Sequence, residues 1–218
     1  MKGARRRLRI GYYNAFSRVY DSFIQMHSSG DSRTSLRDEL AASVGVGQGD
    51  KVLDLCTGTG AMLPPLSRRV GKDGQVVGVD FSPGMLQRAH DRVADTVNVE
   101  LCRADVTNLP FEDNTFDGAT ISHAFYELNG EDIERFLREV HRVLKPGGHF
   151  VMMEHEVPTR AVIRMLYYLR ILSMGSAKTL GILRHEQEQF ESIFQHVEKR
   201  LASSGESKIY ICTKRDAD

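Results

Sequence analysis

The reading of the chain turns on Lys51–Pro83, KVLDLCTGTGAMLPPLSRRVGKDGQVVGVDFSP. The short apolar run Val52-Leu53-Asp54-Leu55, with turn chemistry on both sides, predicts a buried parallel strand. Gly58-Thr59-Gly60 follows at once and leads into the helix-compatible Ala61-Met62-Leu63. A second apolar run, Val76-Val77-Gly78-Val79, ends on Asp80. Strand, glycine turn, helix, strand and terminal carboxylate make half of a nucleotide-binding α/β unit. Glycines at the first strand tip let backbone approach a ligand, and the helix behind them is expected to present unpaired N–H groups there. A carboxylate at the next strand tip can accept hydrogen bonds from both hydroxyls of a ribose. Together these features predict an adenosine-containing ligand.

The same rhythm continues downstream. Ser82-Pro83 reads as an N-cap with proline at the first helical position, opening a helix to about Ala94 with Met85, Leu86, Ala89 and Val93 inward. Val97–Leu101 is the expected third strand, with Asp105-Val106 just beyond it, and Phe116–Ile121 the fourth. A helix over Gly130–Leu144 carries the apolar stripe Ile133, Phe136, Leu137, Val140 and Leu144. Lys145-Pro146-Gly147-Gly148 stops it before a fifth strand, His149–Glu154. Val197–Leu201 and Ser207–Thr213 close the chain as a strand pair. The expected fold is α/β: a Rossmann-like, doubly wound, seven-stranded sheet, mostly parallel with an antiparallel C-terminal strand and helices on both faces.

Upstream, aromatics at Tyr13, Phe16, Tyr20 and Phe23 mark an amphipathic helix over residues 11–26. Residues 27–34 are turn chemistry, and Ser35–Val44 is a second expected helix. Residues 1–49 are thus expected to form a helical cap on the core. Residues 50–218 form the main domain, with a helical insertion at about 158–195. Within that insertion Arg160–Met174 is strongly apolar with arginines at 160, 164 and 170. Such a helix suits a lipophilic substrate pocket, a membrane interface with its arginines at the headgroups, or an ordinary core or dimer contact.

The 218 residues fit one domain with an appendage, and 29 Lys plus Arg balance 29 Asp plus Glu. No global field therefore favours nucleic acid. The basic segment Lys2–Arg7 reads as a solvated terminus, with contact to anionic lipid or nucleic acid as the sharper alternative. Cys56, Cys102 and Cys212 form no C-x-x-C pair, which speaks against a zinc site or a disulfide framework and fits a reducing, cytoplasmic setting.

A dinucleotide site asks for G-x-G-x-x-G, and Leu63 stands where its third glycine should be. The pattern Leu53-Asp54-Leu55-Cys56-Thr57-Gly58-Thr59-Gly60 instead resembles the first motif of class I S-adenosylmethionine-dependent methyltransferases, with Cys56 at a position usually held by glycine. Asp80 resembles their second motif, Ala104-Asp105-Val106 the third, PFEDNTFDGA (110–119) the approach to the fourth strand, and REVHRVLKPGG (138–148) the approach to the fifth. The resemblance implies S-adenosylmethionine as cofactor. It implies that Asp54 orients the Cys56–Gly60 turn, that Gly58 and Gly60 leave room for methionine and ribose, and that Asp80 takes the ribose hydroxyls. Phe81 would lie against the adenine with Met85 in the cofactor site, Asp105 and Val106 would bond the adenine's edge, and Ser122 would line the methionine end; Tyr13 and Tyr20 are lid candidates that aromatic packing explains equally well.

The N-terminal segment resembles that of the quinone-biosynthesis C-methyltransferases through Tyr20-Asp21 and Gly30, while Asp31 and Leu36 depart from it, as does SHAFYEL after the fourth strand. A small, apolar or lipid-derived acceptor is the leading expectation. A phospholipid or small amine, or a subunit that binds cofactor without turnover, are the alternatives, and a homodimer and peripheral membrane contact are compatible with the sequence. Methyl transfer needs alignment and water exclusion, and a base only where the acceptor must lose a proton. His123 and Tyr126 are the candidates, with Glu127 beside them and His155-Glu156 as a weaker second set; packing or capping is the simpler reading of His123 and of the second set. No metal ligand set stands out.

Overall fold

The structure, a computed structural model, describes residues 30–128, 130–156, 165 and 185–215. The expected 11–26 helix with Tyr13 and Tyr20, and the Arg160–Met174 helix, lie outside the described residues. Seven strands form one sheet: β1 (Lys51–Leu55), β2 (Gln75–Asp80), β3 (Val99–Arg103), β4 (Phe116–Ser122), β5 (Leu144–His155), β6 (His196–Leu201) and β7 (Ser207–Thr213). Their order is β3-β2-β1-β4-β5-β7-β6. β1 pairs in parallel with β2 and β4, β2 with β3, and β4 with β5. β7 runs antiparallel to both β5 and β6. The expected doubly wound sheet is therefore present, and its order reverses between β1 and β4.

Helices α1 (Gly30–Ser43), α2 (Leu63–Val70), α3 (Pro83–Arg92) and α4 (Gly130–Val143) fill the connections. Alternate strand residues feed two cores. On one face Leu40, Leu63, Leu66 and Ala89 pack against Val52, Val76 and Val151. On the other, Ile133, Phe136 and Phe190 pack against Leu53, Ala119 and Phe150. Phe190 and Phe194 bring the helical residues 185–191 onto this second face, where Phe194 stacks on Phe150 at 5.9 Å.

Three boundaries differ from expectation. α1 starts at Gly30 rather than Ser35, inside the residues read as a turn. β3 starts at Val99, two residues late, because the Asn98 side chain is committed elsewhere: its Nδ2 donates to the Gly71 carbonyl at 2.7 Å and its Oδ1 accepts from Ser67. Asn98 thus caps the end of α2, while Val97 stands in solvent. β5 starts at Leu144, so the Lys145–Gly148 turn interrupts strand register rather than preceding the strand: Phe116 pairs Leu144, and Gly118 pairs His149.

Gly118 marks where the α1 end meets the sheet. A Cβ there would lie 2.3 Å from Val44 Cγ1 and 2.9 Å from Val46 Cγ1, both buried. Gly118→Ala should therefore destabilise by about 1–3 kcal/mol through overpacking. Urea unfolding checks this; an unchanged midpoint would show that the Val44–Val46 turn yields freely.

Candidate active site

The polar residues gather at the C-terminal ends of the parallel strands, around the β1/β4 order reversal where open α/β sheets bind ligands. Asp54, one residue before the end of β1, is buried, and its two oxygens are divided between strands. Oδ2 accepts from the Thr57 hydroxyl at 2.6 Å, and Oδ1 accepts from the Thr120 hydroxyl on β4 at 2.8 Å. Burial pushes the Asp54 carboxyl up to about 6, against the lowering effect of the two hydroxyls and with a further push from Asp80. This carboxylate clamps the turn onto β4, so it orients the site from below.

The turn itself takes the expected shape at some cost. Cys56, Gly58 and Gly60 have φ of 53°, 55° and 77°. Cys56 therefore occupies a left-handed position that favours glycine, with strain of roughly 1–2 kcal/mol. The Thr57 N–H donates to Val79 and the Gly60 N–H to Thr57, each at 2.9 Å. Arg92 reaches back from the end of α3 to the Thr59 carbonyl and hydroxyl, at 2.7 and 3.0 Å.

Asp80, the last residue of β2, is buried and holds both neighbouring loops. Oδ2 accepts from the Gly58 N–H at 3.0 Å, and Oδ1 from the Ser82 N–H at 2.8 Å. Burial raises its pKa, opposed by N–H groups of Ser82, Gly58 and Phe81. Each oxygen retains lone-pair capacity for a hydroxyl. Beyond it, Ser82 caps α3 by accepting from the Met85 N–H at 3.3 Å, as expected. The Ala104 N–H joins the β3 tip to the Asp80 carbonyl at 3.2 Å.

Asp105 turns the chain after β3. Its Oδ1 accepts from both the N–H and the hydroxyl of Thr107, at 3.1 and 2.8 Å, so it acts as a turn cap as well as an expected adenine contact. Val106 is buried beside it. Phe81 is half-buried at the β2 tip and Met85 is buried on α3; Ser122 ends β4, half-buried.

One expectation is corrected. The helix behind the glycines offers no free amide donors. The Leu63 N–H donates to Gly60, residues 64 and 65 are prolines, and the Leu66 N–H donates to Met62. With no N–H at Pro64 or Pro65, the anion cradle of a dinucleotide fold is missing. By contrast, a Cβ at Gly58 would meet nothing nearer than the Cys56 carbonyl at 3.9 Å. Space above Gly58 and a hydroxyl-accepting Asp80, without a phosphate cradle, fit an adenosyl sulfonium.

Past β4, His123 has φ of 52° and is pinned by its N–H to the Met153 carbonyl at 2.9 Å. Its Nδ1 lies 3.5 Å from Glu154 Oε1, within ion-pair reach but too long for a formed hydrogen bond. The His155 ring lies 4.4 Å from the His123 ring. Burial pushes the Glu154 carboxyl up, yet His123 and His155 together hold it below the usual range. Glu154 escaped the sequence reading, although a carboxylate closing the apolar run Val151-Met152-Met153 was a visible signal. Thr120, a lone hydroxyl within β4, was another, and Arg92 gave none. Tyr126 lies elsewhere: its hydroxyl donates to Glu186, a buried carboxylate that also accepts from Tyr210 and Lys208. Glu156 pairs with Lys199, and the Glu127 side chain is outside the described residues.

Comparison with known proteins agrees with this geometry. Residues 52–148 match the family described as "Methyltransferase domain". The chain is similar to the demethylmenaquinone methyltransferase of Staphylococcus aureus (strain JH9), 43% identical over 133 residues, covering 61% of this chain and 54% of that protein. The chain thus spans about half the length of the curated relatives it matches. Among solved structures, a SAM-dependent methyltransferase from Aquifex aeolicus aligns with TM-score 0.62 at 22% identity, covering 88% and 97% of the two chains. The cyclase SpnF aligns with TM-score 0.55 at 19% identity, covering 84% and 81%. Residues 52–148 therefore carry a methyltransferase domain, on the fold of class I S-adenosylmethionine-dependent methyltransferases. S-adenosylmethionine is the cofactor of that class.

Asp54 gives the site a pH signature. Its folded-state pKa, about 6, lies above its ordinary 3.8, so its contribution to stability is full below about pH 4 and lost as pH rises through 6. The stability difference between the wild type and Asp54→Asn should shift by up to about 3 kcal/mol in favour of the variant between pH 4 and pH 7. Urea titrations at both pH values check this; a constant difference would remove the buried charge from the account.

Proposed function

We propose that this chain transfers a methyl group from S-adenosylmethionine to a small, apolar acceptor of the quinone-precursor kind. The observation that carries the proposal is the joining of two arrangements at one sheet edge. The Asp80–Gly58 cradle stands on β2 and β1, and the polar group His123–Glu154 stands on β4 and β5. Neighbouring strands are about 5 Å apart, so an adenosyl group over β2 brings its sulfonium end toward the β4 tip. The similarity to a demethylmenaquinone methyltransferase over 133 residues supports the acceptor class.

The chain's own work is positioning. Asp80 and the glycine turn fix the adenosyl group, and Asp54 fixes the turn through Thr57. An activated sulfonium then needs its partner in line and water excluded. His123, steadied by the Met153 carbonyl and flanked by Glu154, is the group that orients or takes the acceptor's hydroxyl proton. A second reading, cofactor binding without methyl transfer, is favoured by one observation: a cyclase shares the fold.

S-adenosylhomocysteine formation with a demethylated naphthoquinol, set against a small amine, separates these readings. Turnover is expected with the quinol only. His123→Ala should lower kcat by about 100-fold or more while leaving S-adenosylhomocysteine affinity within about twofold, on the scale where tenfold is 1.4 kcal/mol. Cofactor binding with no turnover on either acceptor would favour the second reading.

A further inference from the structure

His123, Glu154 and His155 form a cluster at the tips of β4 and β5 whose chemistry goes beyond a base and its neighbour. Their ring-nitrogen and carboxylate donor atoms all lie within 4.8 Å of one another. Glu154 is 3% exposed, yet its Oε2 has no hydrogen-bond partner among the described residues, and neither has His123 Nδ1. Buried polar atoms left unmet are costly and rare. A ring–carboxylate hydrogen bond at about 2.7–2.9 Å would relieve His123 Nδ1, but Nδ1 and Oε1 stand 3.5 Å apart. That spacing is instead the one shared by two ligands of a single ion: donors about 2.0–2.1 Å from a tetrahedral zinc lie about 3.3 Å from each other.

We propose that His123, Glu154 and His155 bind a divalent first-row transition metal such as zinc. Two imidazoles with one carboxylate suit zinc and its neighbours, whereas magnesium and calcium ask for oxygen ligands. Three protein donors are the complement of a catalytic zinc site rather than a closed structural one. The donors are also oriented. Glu154 Oε1 accepts from the His155 N–H at 3.1 Å, and His123 is held in its left-handed conformation by the Met153 carbonyl, the residue before Glu154. Such supporting hydrogen bonds fix ligand direction. The site adjoins the acceptor end of the proposed active site and deepens that reading: with metal bound, the ion takes over from the His123 ring in holding an acceptor oxygen.

Titrating the metal-free full chain with Co(II) tests this through the ion's visible d–d absorption. One equivalent should saturate the bands, Zn(II) should bleach them by competition, and Mg(II) should not. Glu154→Gln and His155→Ala should each weaken Co(II) binding at least about tenfold, since each removes a ligand. S-adenosylhomocysteine affinity, measured on the same variants by calorimetry, should hold, which separates loss of the metal from loss of the cofactor site. His155 is exposed, so its variant keeps the test valid if Glu154→Gln fails to fold. Absence of a saturable Co(II) band, or equal binding in wild type and His155→Ala, would overturn the proposal.

Discussion

The Asp80 carboxylate is the joint on which the site depends. One oxygen takes the Gly58 N–H from the β1 turn and the other takes the Ser82 N–H at the mouth of α3. A single buried charge thereby sets the relative position of two loops, and its oxygens keep lone-pair capacity for further hydrogen bonds. Burial of that charge is unfavourable and raises its pKa, so the arrangement is retained at an electrostatic cost that two backbone donors offset. Asp54 does the corresponding work beneath the turn, tying β1 to β4 through Thr57 and Thr120. Two carboxylates thus assemble a cradle whose upper surface is backbone.

What was legible in the sequence followed from period and punctuation. Apolar runs of four to six residues gave β1, β2 and β4, and Ser82-Pro83 gave the start of α3, because each signal is local. The β3 boundary was not local. It depends on Asn98 bonding to Ser67 and Gly71 across the sheet face, a contact that no window around Val97 contains. The same holds for the cofactor end. Cys56 stood out against the motif, but only its φ of 53° explains why glycine is usual there.

The amide donors expected behind the glycine turn illustrate the limit differently. The motif implied a helix N-terminus, and the helix is there, but Pro64 and Pro65 remove its donors. Their identity was in plain view; its consequence needed the helix to be known to start at Leu63. That absence separates the site from phosphate-binding relatives of the fold more firmly than the missing third glycine does. At the acceptor end, His123 was legible as a residue after β4, whereas its company, Glu154 and His155, arises from the parallel pairing of β4 with β5.

The adenosyl cradle is the feature from which the proposed chemistry follows. Calorimetric titration of the full chain with S-adenosylmethionine, beside the same titration of Asp80→Ala and of the wild type with NAD, tests it most directly. Saturable binding of S-adenosylmethionine is predicted, weaker in Asp80→Ala by about 1.5–3 kcal/mol, with no binding of NAD. Equal affinity in wild type and variant, or preference for the dinucleotide, would contradict it.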